Sequence, residues 1–321
     1  MDFGGGIQDL LVEDCFVKDY TRQGVDFAGG LGPGDAPSRK FTARRVRDLP
    51  FTPGFESGGS TIHVEEAGGL EDVFIVDNVC NHSILASGPT NMVISSNIVE
   101  GQILGDGDKA LIIKNNLVQS RAADCDKQHS MLLGVESGQS MALVAAGFAT
   151  GLLILNNTLR HHNDCAPIWS GQMGVELLGG FGSYPLTTNA WITENRFEFD
   201  GAGANTTLIA LSGCEGVIVE SNDFGSAGGT AADHVRQSRC TNCFIDGGAP
   251  HPPPPAPTPP TSPPPPPAPV PPPPGPVPPS TPPACRGAHA VTAFGAAPYD
   301  GQDDTASSAC SFSYAPIILC D

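Results

Sequence analysis

The chain has 321 residues, with 39 Gly, 32 Pro, Lys+Arg 16 against Asp+Glu 34 and a formal net charge of -18. An acidic excess of that size argues against nucleic acid or an anionic membrane surface as partner, since both are polyanions. The longest apolar run, Met141 to Leu155, holds two glycines and a Thr and is too short to span a bilayer.

The N-terminal residues Met1-Asp2-Phe3-Gly4 show neither the basic nor the apolar region of a secretory signal. From Ile7 onward the text is strand-like. Leu11-Val12-Glu13-Asp14-Cys15-Phe16 is the first copy of a phrase that recurs as V-F-I-V-D-N-V-C, M-V-I-S-S-N-I-V, L-I-I-K-N-N-L-V, L-L-I-L-N-N-T-L, A-W-I-T-E-N-R-F and V-I-V-E-S-N-D-F. Its Asn falls at Asn78, Asn97, Asn116, Asn157, Asn195 and Asn222, with steps of 19, 19, 41, 38 and 27 residues. Asp14 takes the Asn position in the first copy. A period near 20 is the mark of a solenoid.

Short apolar strands punctuated by Asn, Asp and Gly suit a coil of small parallel strands. Asn is expected at its corners, where it tolerates left-handed backbone and bonds neighbouring amides. Stacked at about 4.8 Å per rung, those Asn residues can bond one another as a ladder. The expected fold is all-β, a parallel β-helix of about 10–12 rungs and about 50 Å. Arg39, Lys40, Arg44, Arg45 and Arg47 are expected in a solvated loop, and Trp191, within a rung strand, in the core.

The ten cysteines are dispersed, with Cys240-Thr241-Asn242-Cys243 the single C-x-x-C, so a zinc module is not supported and several disulfides are expected. Three sequons, Asn81-His82-Ser83, Asn156-Asn157-Thr158 and Asn205-Thr206-Thr207, also fit an extracellular glycoprotein. An extracellular chain without a signal of its own is expected to be a fragment. Between Pro250 and Pro283, twenty-three of 34 positions are Pro and none is charged. Such a tract is polyproline II, roughly 100 Å if extended.

Residues 7–245 resemble a right-handed parallel β-helix of the pectate lyase-like superfamily. T-R-Q-G-V-D-F at Thr21 to Phe27, followed by S-T-I-H-V-E-E, is similar to phrases of that group. The proline block resembles extensin-like wall proteins. Val291 to Thr305, with F-G-A and D-G-Q-D-D-T, resembles the opening of polygalacturonases. The implied organisation is a β-helix domain at 1–248 without an N-terminal cap of its own, a proline-rich linker at 249–284 and the truncated start of a second module at 285–321.

The resemblance implies that catalytic groups stand on outward positions of one parallel sheet. Gly24-Val25-Asp26, Gly134-Val135-Glu136 and Gly174-Val175-Glu176 share a G-V-acid phrase, and Ile62-His63-Val64-Glu65 is related to it. In a strand, Val25, Phe27, Val175 and Leu177 would point inward, and Asp26 and Glu176 outward. Asp26, Glu65, Glu136 and Glu176 are therefore candidates for an acidic row, with His63 beside it and Arg22 as base or substrate clamp. Paired carboxylates serve glycoside hydrolysis, and such clusters also suit Ca²⁺. No other cofactor is implied. The polygalacturonase phrases N-T-D, G-H-G and R-I-K are absent. Gly105 to Lys109 reads as a turn between rungs and His161 to Asp164 as a loop. The expected function is an extracellular or cell-wall protein acting on acidic polysaccharide as hydrolase or lyase. The alternative is a non-catalytic wall or matrix glycoprotein.

Overall fold

A computed structural model describes residues 2–3, 7–20, 22–28, 38–50, 59–65, 70–106, 109–119, 142–147, 149–161, 173–180, 185–199, 206–246 and 311–314. The chain runs repeatedly through three sheets in a fixed order. One turn is Glu71–Val76 in the first sheet, Val79–Cys80 in the second and Ser83–Ser87 in the third, and the next is Thr90–Ser95, Ile98–Glu100 and Ile103–Asp106. Each strand pairs in parallel with its equivalent one turn later. The result is an all-β, parallel repeat fold that coils on itself.

Among the described residues the third sheet holds nine strands, and so does the first without Ser311–Tyr314, fewer than the ten to twelve rungs expected from length. The sequence interval between paired strands varies, from 19 residues between Ile94 and Ile113 to 41 between Ile113 and Ile154.

The interior is built from columns of like residues. Val25, Ile62, Ile84, Ile103, Val144, Val175, Ile209 and Val235 stack in register along the third sheet, all but Val235 fully buried. Ile75, Ile94, Ile113, Ile154 and Ile192 do the same on the first. β-branched side chains fit this arrangement because both faces of their χ1 rotamer meet neighbours on the pleat. Phe27 and Phe41 stack at 4.3 Å between centroids where two sheets meet.

The Asn ladder is present. Asn78 N–H and Nδ2 both donate to Asn97 Oδ1, and the pattern continues through Asn116, Asn157, Asn195 and Asn222. The ladder Asn is not the left-handed residue, however. That conformation belongs to the residue before it: Asp77, Ser96, Asn115, Asn156, Glu194 and Ser221 have φ between 51° and 58°. Asp14 (φ 53°) belongs to this left-handed column. In the earlier turns the ladder position is held by Val46, whose N–H donates to Asn78 Oδ1, and by Cys15, whose carbonyl accepts from Arg47.

The basic cluster is not a loop. Arg39–Arg44 is a strand, and Arg39 pairs with Glu71, Lys40 with Asp9, Arg44 with Glu13 and Arg45 with Glu13 and Asp14. Trp191 faces outward beside Leu153 and Ile218 and is half-buried rather than core.

Cys15 is disulfide-bonded, whereas Cys80, Cys214, Cys240 and Cys243 are thiols. The linker 249–284 lies outside the described residues. Of 285–321, the described piece is Ser311–Tyr314, which pairs antiparallel with Gln8–Glu13 at the exposed edge of the first turn.

Candidate functional site

The alternation read from the G-V-acid phrases holds. Val25, Phe27, Val175 and Leu177 are fully buried, and Asp26 and Glu176 lie on the opposite face of their strands. Register then decides which polar groups meet. Asp26 of Gln23–Ala28 stands opposite His63 of Ser60–Glu65, one rung away. Asp26 Oδ1 and His63 Nδ1 are 2.7 Å apart, and His63 is 7% exposed. A carboxylate only accepts, so Nδ1 carries a proton, and in the neutral ring Nε2 is the nitrogen with the lone pair. That arrangement makes an oriented base.

Glu65 is exposed at the end of the same strand, two residues beyond His63. With about 4.8 Å between rungs and about 6.7 Å for two residues, Asp26 and Glu65 are about 8 Å apart at the backbone. Arg22 is exposed immediately before Gln23–Ala28, and its carbonyl accepts from Ser60 N–H at 3.0 Å.

The expected single acidic row is divided. Asp26, His63, Leu85, Leu104, Ala145 and Glu176 share one outward row, so Glu176 is four rungs from His63 with apolar residues between. Glu65 belongs to the neighbouring row with Ser87 and Asp106. Glu136 lies outside the described residues. Gly105 and Asp106 end one strand and Lys109 begins the next, and 107–108 between them lie outside the described residues. His161 ends a strand, and 162–164 lie outside the described residues.

A second polar group beside this pair escaped the sequence reading. Asp48 occupies an inward position of the short sheet, opposite Val17, where later turns carry Val99, Val118 and Leu159. Its Oδ2 accepts from Tyr20 Oη and Thr61 Oγ1, each at 2.6 Å, and lies 3.2 Å from His82 Nδ1. Asn81 N–H and Nδ2 add bonds to Asp48 Oδ2 and to its carbonyl. Asp48 Oδ1 is buried without a partner. Burial and the Asp48 charge push the Tyr20 hydroxyl well above the ordinary phenol range, and burial does the same to the Cys80 thiol. A register shift opposite Ser83/Ile84 places Thr61 at a bulge, turning it toward Asp48. The strand carrying His63 is thereby fixed at its start by the Thr61–Asp48 bond. No periodic signal announced this group, because Asp48, Thr61 and His82 come from different phases of the coil.

Among the described residues no three His, Cys, Asp or Glu side chains converge closely enough to hold a metal ion. No described helix is long and apolar enough to cross a membrane. The outer face of the first sheet carries an apolar stripe, with Phe74, Val93, Ile112, Leu153, Trp191 and Ile218 in register. No protein-family model matches the chain, and no curated protein matches it.

Proposed function

We propose that the chain is an extracellular polysaccharide-active protein, a right-handed parallel β-helix of the pectate lyase-like kind. It cleaves an acidic wall or matrix glycan on the outer face of the nine-stranded sheet. The observation that carries this reading is the Asp26–His63 contact at 2.7 Å on an outward row, with Glu65 exposed on the same strand.

Asp26 orients the imidazole, and His63 Nε2 removes the proton α to a uronate carboxylate. The released pair forms a C=C bond as the C–O bond to the neighbouring sugar breaks. Glu65 is assigned the proton delivered to the departing oxygen. Arg22 is assigned the uronate carboxylate, a cationic partner that an otherwise acidic surface needs. Oriented general bases contribute about 10²- to 10⁴-fold in rate. Hydrolysis by the Asp26 and Glu65 carboxylates is the competing chemistry, since both stand on outward positions of adjacent rungs and glycoside hydrolysis uses a pair of carboxyl groups.

The test incubates the full chain with pectic and alginate-like polymers and follows ultraviolet absorbance of unsaturated ends alongside reducing ends. Lyase action raises both signals together. Reducing ends alone indicate hydrolysis, and neither signal removes the catalytic reading. In that last case the apolar stripe of the first sheet supports the alternative, a non-catalytic binding or spacing protein of the wall or matrix.

A further inference from the structure

The last two described turns of the coil carry three thiols that the proposed chemistry does not use. Glu215 pairs in parallel with Thr241, and Thr241 N–H donates to the Cys214 carbonyl at 3.0 Å. Cys214 and Cys240, the residues just before this pair, therefore face each other on adjacent rungs. One rung is about 4.8 Å, within the Cα separation of about 4.4–6.8 Å that a disulfide spans without backbone movement.

Both sulfurs turn the same way. Cys214 Sγ lies 3.6 Å from the Ser212 carbonyl and Cys240 Sγ 3.4 Å from the Ser238 carbonyl, in each case two residues back. Burial, and after it the neighbouring Cys240, raises the Cys214 thiol. Cys243 Sγ is 3.9 Å from the Cys214 carbonyl, brought back by the left-handed Asn242 (φ 54°). Cys214 is fully buried, while Cys240 and Cys243 are partly exposed.

We propose that Cys214, Cys240 and Cys243 form a redox clasp in which a Cys214–Cys240 disulfide ties together the last two rungs and Cys243 is the thiol that reopens it. The oxidant is a small disulfide such as glutathione disulfide. Cys240 thiolate attacks one of its sulfurs, giving a mixed disulfide and one glutathione thiolate. Cys214 then loses its proton and displaces the second glutathione, so two protein thiols become one disulfide and one small disulfide becomes two thiols. Burial pushes the Cys214 thiol up to about 12, which suits the second, intramolecular step rather than the first. In reopening, Cys243 thiolate attacks Cys240 Sγ and releases Cys214, an exchange that consumes no oxidant.

The test equilibrates the full chain in glutathione redox buffers, quenches with acid and maps disulfides by mass spectrometry without reduction. A Cys214–Cys240 link should grow with oxidised glutathione, with slower hydrogen exchange over residues 235–245. Cys243→Ser should keep the link, and Cys240→Ser should form none among the remaining pair. A map showing only Cys240–Cys243, or all three thiols unlinked in the folded chain under oxidising buffer, overturns the proposal. Cys243→Ser changes a partly exposed thiol, so it keeps the result decisive if Cys214 variants fail to fold.

Discussion

Asn116 Oδ1 receives two bonds from the preceding rung, the backbone N–H of Asn97 at 2.9 Å and the Asn97 side-chain amide at 3.0 Å. Asn116 in turn donates to Asn157 and to the carbonyl of Ile94. Asn116→Ala strands these buried groups together and should cost about 4 kcal/mol, since each orphaned group costs about 1–3 kcal/mol. The neighbouring Asn115 (φ 57°) occupies the left-handed column and is exposed, and its Oδ1 accepts one solvent-exposed bond, from Asn156 Nδ2 at 3.0 Å. Asn115→Gly should therefore leave stability within about 1 kcal/mol. Denaturant unfolding of the two variants separates ladder from corner.

Asp48 is a carboxylate in an apolar column, held by Tyr20, Thr61 and Asn81. Asp48→Ala orphans the donors of Tyr20, Thr61 and Asn81 together and should destabilise by about 3–5 kcal/mol, at about 1–3 kcal/mol for each orphaned group. Asp48→Asn keeps an oxygen in place and should cost clearly less. Equal losses in calorimetry would mean that the network adds nothing beyond packing.

The Arg45 guanidinium bonds both Asp14 oxygens, at 2.6 and 2.9 Å, and holds that carboxyl below the ordinary carboxylate range. A depressed carboxyl stabilises the fold fully above its unfolded value and loses that contribution as pH falls through the folded value. The pair is exposed, so the effect on global stability should be small. The Asp14 titration midpoint, followed by carboxyl NMR, should lie below the usual value and return to it in Arg45→Gln.

The edge of Gln8–Glu13 is covered by Ser311–Tyr314. An uncovered parallel edge invites pairing with another chain. A chain ending at Asp246 should therefore associate more than the full chain in light scattering at equal concentration. Indistinguishable scattering would show that this antiparallel strand does not protect the edge.

The coil could be read from sequence because one residue type, Asn, marks one phase of every later turn. The phase assigned to Asp14 was one residue off. The left-handed position tolerates Asp, Ser, Glu and Arg as well as Asn, so only the ladder position keeps a distinctive chemistry. Alternation was enough to turn Asp26, Glu65 and Glu176 outward. It could not say which of them meet, because connections of differing length decide which strand follows which, and the register brings His63 rather than another acid to Asp26. The Asp48 group was invisible for a related reason: a polar residue at an inward position looks, in sequence, like any turn residue.

The measurement that bears most directly on the proposed function is the rate of unsaturated-end formation from a polyuronate by the full chain, by His63→Ala and by Asp26→Asn. Loss of the base should lower the rate about 10²- to 10⁴-fold, with a smaller loss when only its orientation is disturbed and with unfolding midpoints close to the parent. A parent chain that forms no unsaturated ends, or a His63→Ala variant as fast as the parent, would contradict the assignment of His63 as the base.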